Sequence, residues 1–277
     1  DAVMVRSISY KLAAASYTAT ATKTSETYYD VHLGKGDEIA DRSFNFSGDG
    51  STLKSKSVFE YGTILTGSIA DGALNNGTSI SYAADTDSSE AVMVRSLSYK
   101  MVDGVDLNTT IDYNESLADP TSETYYYVGL GKGDEIADRS WNFTSSGAIK
   151  SESIFEYGSA NILDGAAGTR ASATASSDAV MVRSLSYKAS GSYVQGNKTS
   201  ETYYDVHLGK GDEIADRSWN FAGNGTTLKS KSIFEYGTIT TGSIGDGTAG
   251  TRASATNSSD AVMVRSISYK LAAASYT

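Results

Sequence analysis

The sequence predicts an all-β protein built from tandem copies of one module. Three observations carry this: motifs that recur in fixed order, period-two alternation within them, and a composition suited to strands. "AVMVRS" begins at Ala2, Ala91, Ala179 and Ala261, and "TSETYY" at Thr24, Thr121 and Thr199. "GKGDEIADRS" begins at Gly34, Gly131 and Gly209, and "FEYG" at Phe59, Phe155 and Phe234. The order never changes, which is the mark of a repeat array. The modules are residues 1–89, 90–177 and 178–259. Residues 260–277 repeat residues 1–18 letter for letter, so they are a closing or linking strand or the opening of a fourth module. Of 277 residues, 70 are Ser or Thr and 19 are Tyr, which suits pleated, half-buried surfaces better than helices.

Each motif has a strand reading. "VMVRSISYK", or "VMVRSLSYK" in the second and third copies, is the first strand of each module. In "TYYDVHL" one face carries Tyr29, Val31 and Leu33, and the other Tyr28, Asp30 and His32. The second copy keeps Tyr126, Val128 and Leu130 but changes the other face to Tyr127 and Gly129, so the first face reads as packed and the second as wet. "ADRSFNF" aligns Phe44 and Phe46, with Trp141 or Trp219 in the later copies. "TLKSKSVFEYG" sets Leu53, Ser55, Ser57, Phe59 and Tyr61 against Lys54, Lys56, Val58 and Glu60. "GTRASAT", from Gly168 and Gly250, is read as a fifth strand, and "GDEIAD" as at most one helical turn. "GKGD", "SGDGS", "GNGT" and "DGTAG" are turn signals. The segment between the first strand and "TSETYY" varies most: 12 residues after Lys11, 20 after Lys100 and 10 after Lys188, as at a hairpin tip.

Two architectures fit: a string of small β-sandwiches, or a stack in which sheets of neighbouring modules or chains extend one another. Edge strands are normally blunted by proline, bulges or charge. Pro120 is the single proline here, with Lys54 and Lys56 as candidate edge charges, so the sequence favours edges left free to pair.

The net charge of −10, without a basic cluster, argues against nucleic-acid binding. With no cysteine, disulfides, thiolate metal sites and a cysteine nucleophile are excluded. No run of 18 apolar residues predicts a membrane span. A start at Asp1 fits a processed, secreted protein or an internal fragment.

The acidic turns are the first candidate site. Asp37, Glu38 and Asp41, with Asp134, Glu135, Asp138 and Asp212, Glu213, Asp216 in the later copies, offer oxygen ligands dense enough for calcium. The spacing matches no calcium loop, and Lys35 and Arg42 offer the competing reading of an ion-pair network. Eight asparagines begin N-x-S/T triplets: Asn45, Asn76, Asn108, Asn114, Asn142, Asn197, Asn224 and Asn257. They are candidate glycosylation sites, with copying by duplication as the alternative. His32 and His207 are replaced by Gly129 in the second copy, so no histidine base serves every module. No serine lies in a G-x-S-x-G elbow, and the expectation is a protein that is not an enzyme. Arg6, Arg95, Arg183 and Arg265 are expected to pair with carboxylates of their own module or a neighbour. The pairs Tyr28–Tyr29, Tyr125–Tyr126 and Tyr203–Tyr204 offer rings for sugar stacking, with cross-strand packing as the competing use.

The threefold "TSETYY…GKGDEIADRS…FEYG" order, the sequon-rich Ser/Thr/Tyr composition and the lack of cysteine resemble tandem-repeat cell-surface proteins of prokaryotes. Archaeal sheath and surface-layer proteins come first, bacterial repeat adhesins second. The resemblance implies an extracellular, glycosylated subunit that pairs with copies of itself, and with other cell-envelope components, in a filament, sheath or lattice. The alternative is an adhesin stalk, calcium-stiffened or glycan-binding.

Overall fold

The computed structural model describes residues 2–12, 21–63, 79–100, 120–237, 250–258, 261–271 and 276. The protein is all-β: sixteen strands and three single 3-10 turns make up the regular structure of the described residues. The strands are β1 (Arg6–Leu12), β2 (Ala21–Asp30), β3 (Ile39–Phe46), β4 (Leu53–Thr63), β5 (Ser79–Tyr82), β6 (Val92–Lys100), β7 (Ser122–Tyr127) and β8 (Ile136–Phe143). They continue with β9 (Ile149–Gly158), β10 (Thr169–Arg170), β11 (Val180–Gly191), β12 (Val194–Asp205), β13 (Ile214–Phe221), β14 (Leu228–Gly237), β15 (Thr251–Arg252) and β16 (Val262–Lys270). All belong to one antiparallel sheet, ordered β1-β2-β3-β4-β6-β7-β8-β9-β11-β12-β13-β14-β15, with β5, β10 and β16 pairing β4, β9 and β14.

This order replaces the string of separate sandwiches. β6 and β11, the first strands of the second and third modules, pair backward with β4 and β9 and forward with β7 and β12. The repeat is thus a unit of sequence joined to the next by a shared sheet. By compactness the chain divides into two units, Asp1–Ile136 with Ser140–Ile149, and Ala137–Arg139 with Lys150–Thr277. The division falls within the second module.

In the first unit Ile39, Tyr61, Ala83 and Ala91 form one cluster, and Val58, Leu97 and Tyr99 another. In the second, Ile214, Tyr236 and Ala253 repeat the first cluster, while Tyr203, Trp219, Phe221 and Leu228 pack with Tyr276.

Two register slips recur. Arg95 faces Glu60 while Met93 faces Tyr61, which leaves Val94 as a bulge. The same slip leaves Val182 and Val264 between the corresponding pairs. A bulge bends the strand and re-aims a side chain, and Val94 and Val182 are wholly buried. The second slip leaves Asp41 and Asp216 bulged in β3 and β13. There a phenol from the next strand supplies a hydrogen bond: Tyr61, Tyr157 and Tyr236 donate to Ala40, Ala137 and Ala215 carbonyls, each at 2.5 Å.

Several sequence expectations need correction. The "TYYDVHL" strand stops at Asp30, and its second copy at Tyr127, ahead of a turn closed by the Gly34 or Gly131 amide on the Val31 or Val128 carbonyl. In the first copy the Asp30 carboxylate also accepts from the His32 amide at 3.0 Å, an Asx turn. Gly34 and Gly36 follow at φ 100° and 91°, a region open to glycine. The face read as wet is packed as well, since Glu201, Tyr203 and Asp205 are buried on it, while Val128 and Val206 are buried on the face read as packed. "GTRASAT" supplies only two strand residues before the 3-10 turns Ala171–Ala173 and Ala253–Ala255. β3 begins at Ile39, inside "GDEIAD", where no helical turn forms. β4 has neighbours on both sides, so Lys54 and Lys56 guard no edge.

Candidate functional site

The features repeated most faithfully converge on the junction strand, the copy of "VMVRSISYK" between one module and the next. The FEYG strand of the preceding module lies on one side and the TSETYY strand of its own module on the other. A glutamate arrives from each. Arg95 Nε donates to Glu60 Oε2 at 2.5 Å, and its Nη1 lies 3.9 Å from Glu123. Arg183 repeats this with Glu156 at 2.6 Å and Glu201 at 3.8 Å. Burial works against both guanidinium charges, but the bonds to Glu60 and Glu156 outweigh it and hold both groups above their ordinary range. In the low-dielectric interior each charge depends on the others, so the arginine ties two modules together.

The terminal copies hold half of this arrangement or none. Arg265 in β16 donates to Glu235 at 2.7 Å, on the preceding side, and that bond raises its pKa. Arg6 in β1 is exposed and, among the described residues, has no carboxylate within ion-pair distance.

The acidic turns also serve the junction. Glu38 accepts from the Met4 amide at 3.1 Å and from Gly36 at 3.0 Å, and the Met4 bond is the main cause of its lowered pKa. Glu135 does the same with Met93 and Gly133, and Glu213 with Met181 and Gly211. Asp41 pairs with Arg42. Asp138 accepts from Arg170 through both oxygens at 2.7 Å, and Asp216 from Arg252 at 2.6 Å. Asp37, Asp134 and Asp212 sit at the turn, each amide bonded to the carbonyl of Gly34, Gly131 or Gly209. The acids adjacent in sequence therefore diverge in space. Among the described residues no group of three or more histidines and acids converges on a cation position.

His32 and His207 lock the same turns to the connector that leads into the next junction. Each Nδ1 meets its Asx-turn carboxylate, Asp30 or Asp205, and each Nε2 meets a carbonyl, Thr86 at 2.8 Å or Thr256 at 2.9 Å. Both neighbours are acceptors, so the geometry favours the doubly protonated ring. The carboxylate bond is the main cause of the raised pKa of each histidine.

The tyrosine pairs present no open platform. Tyr125 and Tyr203 are buried and donate to Glu123 and Glu201 at 2.9 Å, while Tyr126 and Tyr204 bond Ser96 and Ser184. The sequons separate into classes. Asn45 lies within β3 and donates to Ser55 across the ladder, and Asn142 lies at the same place in β8. Asn197, Asn224 and Asn257 are exposed, and Asn76, Asn108 and Asn114 lie outside the described residues. The paired use of the junction glutamates was missed from sequence. Its only trace was a glutamate at the same place in every "SETYY" and "FEYG". No family model matches the chain, and no curated protein matches it.

Proposed function

We propose that this chain is a structural subunit that self-assembles by strand pairing into an extracellular filament, sheath or surface lattice. The observation that carries the reading is that, among the described residues, β1 pairs only with β2 and β16 only with β14. The same segment, as β6 and β11, pairs on both sides within the chain. Adding a strand to a sheet edge uses main-chain hydrogen bonds for affinity and alternate side chains for specificity. The chain already makes that join twice. Exposed sequons at Asn197, Asn224 and Asn257 support a glycosylated surface as part of the proposal. Calcium is not required by it, because Glu38, Glu135 and Glu213 already accept from main-chain amides.

The test is electron microscopy of the purified 277-residue chain beside a form lacking residues 260–277. Filaments or sheets are expected from the first. The second is expected to stay dispersed while keeping its β-type circular dichroism. A chelator is expected to leave the assemblies unchanged. Monomers from the full chain, or equal polymer from both forms, would defeat the proposal.

A further inference from the structure

We infer that β16 of one copy joins the sheet of a second copy by taking the place of that copy's β1 beside its β2. This rests on the self-assembly reading and gives it a direction and a register.

Residues 260–277 are identical to residues 1–18, so β16 can make every contact with β2 that β1 makes. β1 sets Arg6, Ser7, Ile8 and Ser9 opposite Tyr28, Thr27, Glu26 and Ser25. β6 and β11 sit on β7 and β12 in the same register: Arg95 opposite Tyr125, and Arg183 opposite Tyr203. In the exchanged junction Arg265, Ser266, Ile267 and Ser268 would occupy these rows. Direct stacking of β16 against β1 would instead put two junction strands where each internal junction has one.

Charge favours the exchange. Arg265 has Glu235 but lacks the second carboxylate that Arg95 finds in Glu123 and Arg183 in Glu201. Glu26 of the second copy stands where that carboxylate belongs. It is buried on β2, bonded at 2.9 Å to Lys23. Glu38 of the second copy, which now accepts from the Met4 amide, would accept from Met263 as Glu135 does from Met93. The apolar residues left exposed on β16, Val262, Met263 and Tyr269, would gain the cover their internal counterparts have.

β1 is the strand that gives way. β16 is held to β14 over eight residue rows, by the Arg265–Glu235 bond and by Ser232–Ser268 at 3.0 Å. Arg6 makes no such bond across its own edge, and Met4, Val5 and Tyr10 are exposed. Exchange trades identical ladders on β2 and brings Arg265, already paired with Glu235, beside Glu26, with which Arg6 makes no ion pair.

The chain has no cysteine, so a crosslink reports the register directly. T27C and S266C chains are mixed, assembled and oxidised. A mixed disulfide dimer is expected, with none from either variant alone and none from a mixture of S9C and S232C. Hydrogen exchange on the unmodified chain gives an independent reading: assembly is expected to remove protection from residues 2–12 and add it over 262–270. Assembly in which 2–12 gains protection, or in which S9C and S232C crosslink instead, overturns the exchange and leaves strand-pairing assembly standing. Absence of any polymer overturns both.

Discussion

Four copies of one strand sit in two environments, and the contrast separates what the segment encodes from what its neighbours supply. Val94 and Val182 are 0% exposed, whereas Val5, with the same flanking residues, is 57% exposed. Tyr99 is 7% exposed, while Tyr10 and Tyr269 are 53% and 49% exposed. The segment alone sets neither burial nor the ion pairing of its arginine. Both follow from whether a FEYG strand stands behind it and a TSETYY strand ahead. Repeat proteins draw much of their stability from such nearest-neighbour interfaces, and here that interface is a single shared strand.

The largest test of the contrast is the arginine. Arg183→Met leaves Glu156 buried without its cation and Glu201 with Lys198 alone, and is expected to cost about 3–5 kcal/mol. Arg265→Met, at the half-open copy, is expected to cost far less, because its ion pair with Glu235 is open to solvent. Urea midpoints of the two variants measure the difference, and equal losses would break the comparison. Next comes the bulged valine. Val182→Ala opens space in a packed site and is expected to cost about 2 kcal/mol. Val5→Ala is expected to change stability by about 0.5 kcal/mol at most, in the same assay.

The smallest effect sharpens a second contrast, between copies with the histidine lock and the copy with Gly129. The folded-state pKa of His207 is raised above 6.5 by Asp205 and Thr256. A raised value means that the charged ring stabilises the folded state. The hold is therefore complete below pH 6.5 and disappears as pH climbs through the folded value. Amides of Ala253–Thr256 are expected to exchange faster across that interval, while Ala171–Thr174, which have no histidine, follow only the intrinsic rate. His207→Gln is expected to remove the pH dependence.

Fold class and repeat order were legible because alternation and motif spacing survive in every copy. The strand end at Asp30 was less so. "TYYDVHL" alternates perfectly, and the turn from the Val31 carbonyl to the Gly34 amide that interrupts it is signalled only by the glycines that follow. The face read as wet was misread for a physical reason. Glu201 and Asp205 look solvated in isolation, yet Arg183 and Lys198 for one and His207 for the other let both be buried. Pairing across a repeat boundary leaves no local signature: Arg183 and Glu156 lie 27 residues apart in the chain. Of the acidic turns, their density was plain, but not that Glu38, Glu135 and Glu213 already accept from main-chain amides and Asp41, Asp138 and Asp216 from guanidinium groups.

The hairpin between β11 and β12 has its own consequence. Its tip turns through Tyr193 at φ 53°, with Ser192 and Val194 exposed, far along the strands from the Arg183 ion pairs. This is also where the copies differ most in length. A peptide spliced between Ser192 and Tyr193 would extend an outward loop and leave the joints untouched, whereas Gly196, whose added Cβ would lie 2.3 Å from the Lys188 carbonyl, must stay bare. The molecule thus carries a port for foreign cargo, repeated along any array in which the joints hold.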